Sequence, residues 1–205
     1  MDELPEQDTA KKTRPAKGER RIQILHTLAH MLENPVGDKI TTAGLAKSLG
    51  VSEAALYRHF ASKAQMFEGL IEFIESSLFG LLNQIAASEA PANEQLKKMV
   101  SVLLVFAQKN PGMARVMIGD ALVNEHERLQ QRITQLIERV SATLKQTLRN
   151  AAAEGLWTPA VEVGVYSDTL MSWVVGRWHG FVRSGFKRMP DDAYDAAWLA
   201  LNPMR

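Results

Sequence analysis

The chain has 205 residues, 46% hydrophobic and 23% charged, with a formal net charge of +1. This is enough apolar material for a sizeable core, and the near-balanced charge means that any basic surface for nucleic acid must be local. The absence of cysteine excludes a disulfide scaffold, a cysteine-ligated zinc site, an iron–sulfur cluster and a thiol nucleophile; the charged first 21 residues do not read as a signal peptide, and no apolar run approaches the ~20 residues of a membrane span.

In chain order, residues 1–18 are polar, with Pro5, Pro15 and Gly18, and read as a disordered arm. Lys11, Lys12, Arg14, Lys17, Arg20 and Arg21 stand against the single acid Glu19. Such a run is either a solvated tail or an arm that reaches DNA phosphates. Ile22, Leu25, Leu28, Ala29 and Leu32 fall at helical spacing and predict a helix over 19–33, ended by Asn34-Pro35 and Gly37-Asp38. Thr41-Thr42 is an N-cap for a short helix to 49, with Leu45, Ala46 and Leu49 inward. Gly50 suits a turn with positive φ. Ser52 then caps a second short helix, with Glu53 favouring its dipole, and Ser62 caps a long helix to 87. After a loop at 88–94, helices are predicted over 95–109, 112–119, 122–153, 161–184 and 191–201, separated by Asn110-Pro111-Gly112, Gly155 with Pro159, and Gly185 with Pro190. No segment shows convincing two-residue alternation, so the expected class is all-α. The expected division is a basic arm over 1–18, a helix-turn-helix domain over 19–66 and a helical dimerisation and partner-binding domain over 67–205.

The informative segment is 40–67. Two short helices meeting around Gly50, with Ala46 small where the second crosses, make a helix-turn-helix whose second helix is free to enter a major groove. Thr41, Thr42 and Ser52 place hydroxyls at helix N-termini for phosphate oxygens. Ala54 and Ala55 let the helix sink in against a thymine methyl. Tyr57, His59 and Lys63 offer polar groups at backbone distance. In the second domain, Leu129, Ile133, Leu136 and Val140 form a stripe suited to helix pairing, and Gly176 and Gly180, flanked by Leu170 and Trp173, permit close approach of another helix. Recognition helices about 34 to 36 Å apart in a homodimer would match a palindromic double-stranded site. His26 and His30 have metal-compatible spacing but no third ligand nearby, and no phosphate loop, nucleophile elbow or paired carboxylates can be placed. No enzyme activity, cofactor or metal is therefore expected.

The elements Ile40-Thr41-Thr42, Leu45-Ala46, Gly50-Val51-Ser52, Leu56-Tyr57-Arg58-His59-Phe60 and Ser62-Lys63 resemble the TetR family of bacterial DNA-binding proteins. The resemblance implies a three-helix DNA-binding unit followed by a larger helical domain that dimerises. Val51 to Phe60, Met66-Phe67, Leu70 to Glu75, Asn110-Pro111-Gly112, Arg128-Leu129-Gln130 and Phe181 to Ser184 further resemble the nucleoid occlusion factors of that family. That likeness implies a cytoplasmic, nucleoid-associated dimer that binds chromosomal DNA and inhibits ring assembly by contacting the C-terminal tail of the tubulin-like GTPase FtsZ. The tail groove would be formed by Phe73, Val102, Lys109 and Asn110. Leu81 stands where that group has Arg, and Val102 and Val105 where it has Leu and Gly. The alternative function is a ligand-responsive repressor, with an effector pocket among residues such as Phe106, Met117, Trp173 and Trp178.

Overall fold

Capping side chains and one glycine set the boundaries of the N-terminal helices in the computed structural model, which describes residues 17–34, 40–156 and 161–201. Helix α1 spans Lys17–Glu33 and α2 spans Thr42–Leu49, where Thr41 Oγ1 accepts from the Gly44 N–H at 3.0 Å. Gly50, at φ +64°, ends α2, and the Val51 N–H returns to the Ala46 carbonyl at 3.0 Å. This is the left-handed helix stop that glycine adopts without strain. Ser52 caps α3 (Glu53–Tyr57), and Ser62 caps α4 (Lys63–Ala86) by accepting from Gln65 N at 3.2 Å. Ile24, Leu28, Leu45, Leu56, Phe60 and Met66, each at most 2% exposed, fill the space between these helices. Burying each such side chain contributes roughly 1.5–3 kcal/mol.

The remaining elements are α5 (Ala92–Lys109), α6 (Pro111–Met117), a 3₁₀ turn (Asp120–Leu122), α7 (Glu127–Ala153), α8 (Val163–Arg183) and α9 (Tyr194–Leu201). Helix α7 packs on α4, α5 and α8, while α1 packs on α2, α4 and α6. Helix α4 thus belongs to both halves of the molecule. Helix α5 starts three residues before the expected position, and the Ala92 N–H is satisfied by Glu154 Oε2 at 3.0 Å. Helix α7 starts at Glu127, not at 122, because Gly119 (φ +79°) and Asn124 (φ +65°) turn the chain first.

The stripe read as a pairing surface proves to be core. Leu129, Ile133, Leu136 and Val140 are buried within their own chain, as is Leu170. Leu129, Ile133, Val140 and Leu170 are therefore corrected from interface to core residues. The reason is that α7 turns its single apolar stripe toward α4, α5 and α8, which surround it.

Helix α9 is tied down by polar bonds to its neighbours. The Tyr194 hydroxyl donates to the Lys97 carbonyl at 2.6 Å, the Tyr166 hydroxyl donates to the Leu201 carbonyl, and Asp195 pairs with Lys97 at 2.6 Å. Arg177 holds the preceding turn through the carbonyls of Met189, Pro190 and Asp192. Trp173 lies half-buried beside Tyr194 and the Arg177 guanidinium, at 6.4 and 5.6 Å. Burial pushes the Tyr166 and Tyr194 hydroxyls well above the ordinary value of 10.0, helped at Tyr194 by the neighbouring Asp195 charge. A raised folded-state value means that the protonated form is favoured by folding, so this stabilisation is complete below pH 10 and is lost as pH rises further. In an alkaline titration, absorbance near 295 nm from these two tyrosines is expected to rise only together with loss of helicity. Their ionisation near pH 10 with α9 still docked would refute this.

Candidate nucleic-acid interface

The surface of α3 follows from its 100° steps. Leu56 turns inward at 1% exposure, so Glu53, Ala54 and Tyr57, the last 45% exposed, share the outward face. Ala55, expected on that face, is half-buried on its flank, because one further step carries it round toward the side of Leu56. Ser52 is exposed beside the face, and its Oγ accepts from Ala55 N at 3.3 Å. Thr41 is likewise exposed and uses its oxygen as an acceptor. A capping hydroxyl that only accepts keeps its own hydrogen to donate, so Thr41 and Ser52 retain a donor for a phosphate oxygen.

Two expected contacts are placed differently. The Thr42 hydroxyl donates to Glu53 Oε2 at 2.6 Å; its hydrogen fastens α2 to α3 and is not presented to a phosphate. The Lys63 ammonium is paired with Glu125, with both side chains largely buried, and lies 5.7 Å from the Phe67 ring centre. Its charge is taken up by the segment before α7. His59 is half-buried, and its carbonyl accepts from Arg21 Nη1 at 3.1 Å while the Arg21 guanidinium sits 4.2 Å over the Phe60 ring. Arg21 therefore closes the end of the α3 segment from α1, a role that sequence reasoning missed because 38 residues separate the partners. Lys47 and Arg58, also not selected from sequence, are exposed cations on α2 and at the end of α3. The expected basic arm lies, up to residue 16, outside the described residues.

The helix-turn-helix head meets the helical body along α1, which packs on α4 and α6. At Gly112 a Cβ would stand 1.8 Å from the Ala29 carbonyl oxygen, so α6 meets α1 backbone to backbone. Arg115 adds a bond to the Leu32 carbonyl at 3.2 Å. Along α4, Glu68 pairs with Arg128 at 2.6 Å and Glu75 with Arg132 and Arg139 at 2.7 and 3.5 Å, all from α7.

On the body, Phe73 is half-buried with its ring edge-on to His26 at 5.3 Å. Leu81 lies two turns further along α4 and is exposed. Val102, Val105 and Lys109 share one face of α5, which packs on α4. Asn110 spends its amide on the Phe106 carbonyl at 2.8 Å, which fixes the α5–α6 corner. Lys98, one turn before Val102 and exposed, adds a cation to this face that sequence reasoning did not select. His30 goes to Glu33 at 3.1 Å, apart from His26. Phe106, Met117 and Trp178 are core residues, Trp178 donating to the Leu103 carbonyl at 3.0 Å. On the outside, a cleft of about 550 Å³ between α7 and α8 is lined by Ile137, Ser141, Met171 and Val175, among others. Gly176 and Gly180 lie nearby on α8, and a Cβ at either meets nothing within 4 Å. No helix among the described residues is long and apolar enough to cross a membrane.

Residues 38–70 match the model of bacterial regulatory proteins of the tetR family, and residues 92–204 match the SlmA-like form of the tetracyclin repressor-like C-terminal domain. The chain is 46% identical over 188 residues to the nucleoid occlusion factor SlmA of Alteromonas mediterranea, covering 92% of this chain and 96% of the relative. It is 48% identical over 185 residues to that of a Marinomonas species, covering 90% and 94%. Among solved structures, the TetR family transcriptional regulator PfmR of Thermus thermophilus superposes with a TM-score of 0.71 at 20% identity, covering 90% of this chain and 97% of that one. The fatty acid degradation regulator FadR of Bacillus halodurans superposes with 0.76 at 15% identity, covering 91% and 96%. At that identity the structures establish the fold alone.

Proposed function

The chain belongs to the nucleoid occlusion factor SlmA family, within the TetR-type DNA-binding regulators, and from this we propose that it binds palindromic chromosomal sites as a homodimer and, while bound, captures the C-terminal tail of FtsZ and restrains ring assembly over the nucleoid. The observation that carries the DNA half is the outward face of α3, with Tyr57 and Ala54 flanked by the donor hydroxyls of Thr41 and Ser52. Phosphates would take the hydroxyls and the exposed cations Lys47 and Arg58, while the α3 face meets base edges. His59 stands at the end of that segment, where an imidazole meets the backbone of the duplex.

The tail would lie along the α4–α5 face, with Phe73, Val102 and Lys109 in contact and Asn110 holding the corner. The loss of a cation at Leu81 is offset by Lys98 on the same face of α5. Homodimers would pair through the outward faces of α7 and α8, where Gly176 and Gly180 leave room. The role of such a protein is positional: it binds and exposes surfaces, with no chemical step.

The test has two stages. Bound DNA is selected from a random pool, and an FtsZ-tail peptide is then titrated with and without the selected duplex. The expected result is a palindromic motif and tail binding that is tighter in the DNA complex. A chain that ignores the tail in both states, and releases DNA on adding a small molecule, is instead a ligand-responsive repressor.

A further inference from the structure

We infer that Glu53 is a base-reading residue, which selects a cytosine in each half-site by accepting a hydrogen bond from the exocyclic amine of that base. The inference rests on the reading that α3 enters the major groove. Glu53 and Tyr57 lie one helical turn apart on the same exposed face, with Ala54 beside them. Wherever the tyrosine goes, this carboxylate goes too.

The carboxylate is already held in place. Thr42 Oγ1 donates to Oε2 at 2.6 Å from α2, a helix packed against α3. A long side chain is thereby braced before DNA arrives, while Oε1 stays available as an acceptor. Among phosphates, a desolvated carboxylate is costly unless it gains a donor. The base edges of the major groove supply two kinds, the N4 amine of cytosine and the N6 amine of adenine. Adenine also turns its N7 acceptor toward the same side chain, which repels the second carboxylate oxygen. Cytosine offers its amine with no acceptor of its own beside it, so it is the base that this group accommodates best.

The competing account is that Glu53 only complements the first turn of α3 and weakens DNA binding uniformly. Selection from a random pool with the full chain separates the two, using wild type, Glu53→Gln, Glu53→Ala and Thr42→Val, each checked by thermal melting. Wild type is expected to enrich cytosine at one position per half-site, and replacing that base should cost roughly 5- to 150-fold in affinity. Glu53→Ala should flatten that position alone. Glu53→Gln should move the preference to adenine, because an amide pairs with N6 and N7 together. Thr42→Val should weaken the cytosine preference without moving it. Should Glu53→Ala fail to fold, the nearly isosteric Glu53→Gln decides. A motif unchanged in both Glu53 variants, with affinity raised equally for all sequences, overturns the inference. Wild type that enriches no motif removes the reading of α3 on which it stands, a distinct failure.

Discussion

Gly112→Ala is expected to destabilise the protein by about 3 kcal/mol or more, a fall in melting temperature of roughly 6–12 °C for a chain of this length. The new Cβ would sit 1.8 Å from the Ala29 carbonyl oxygen and 2.8 Å from its carbon, with Leu32 Cβ at 3.2 Å behind. An obstructing side chain can change rotamer; a carbonyl inside α1 can retreat only by moving its helix. Parting α1 from α6 also strains the Arg115 bond to Leu32, which anchors the end of α1. Because α1 carries the head and α6 the body, the variant should lose DNA affinity at temperatures well below its melting point. Gly80→Ala is the control: this glycine lies within α4, its Cβ meets nothing within 4 Å, and the change should be neutral or stabilise by up to about 1 kcal/mol. Calorimetry showing less than 1 kcal/mol of loss at Gly112 would mean that the two helices do not meet in this way.

The contrast between Gly112 and the caps shows what could be read in advance. Thr41, Ser52 and Ser62 cap helices through bonds to the N–H three residues on, and Gly50 stops α2 through its own φ. These are local effects, so residue type and spacing suffice to find them. The family likeness likewise lies in consecutive residues around the helix-turn-helix. What sequence does not display is which distant group claims a side chain. Lys63 has the character of a phosphate ligand, yet Glu125, 62 residues away, holds it. Thr42 looks like Thr41 until Glu53 accepts the hydrogen bond that its hydroxyl donates. Ala55 and Glu53 exchange places because the outward face is set by where Leu56 is buried. The α7 stripe has the same periodicity whether it meets its own chain or a twin, since an amphipathic pattern records that one face is covered and not what covers it.

With that stripe committed to the core, pairing in the proposed homodimer falls to the outer face of α8, where Val165 is 54% exposed and Ser172 and Gly176 follow it on the same side. Gly176→Arg is accordingly expected to abolish pairing while leaving the individual chain folded, because the site has room for a side chain within its own subunit but not against a closely approaching partner helix. The effect on DNA should be large. A dimer binds its second half-site as an intramolecular step, and losing that step costs roughly 10²- to 10⁴-fold in affinity for a palindrome. Affinity for a single half-site should stay unchanged, since Thr41, Ser52 and the α3 face lie in the other domain. Sedimentation and fluorescence anisotropy on whole and half palindromes measure both quantities. If Gly176→Arg remains a dimer with full affinity for the palindrome, the pairing surface lies elsewhere than on this face of α8.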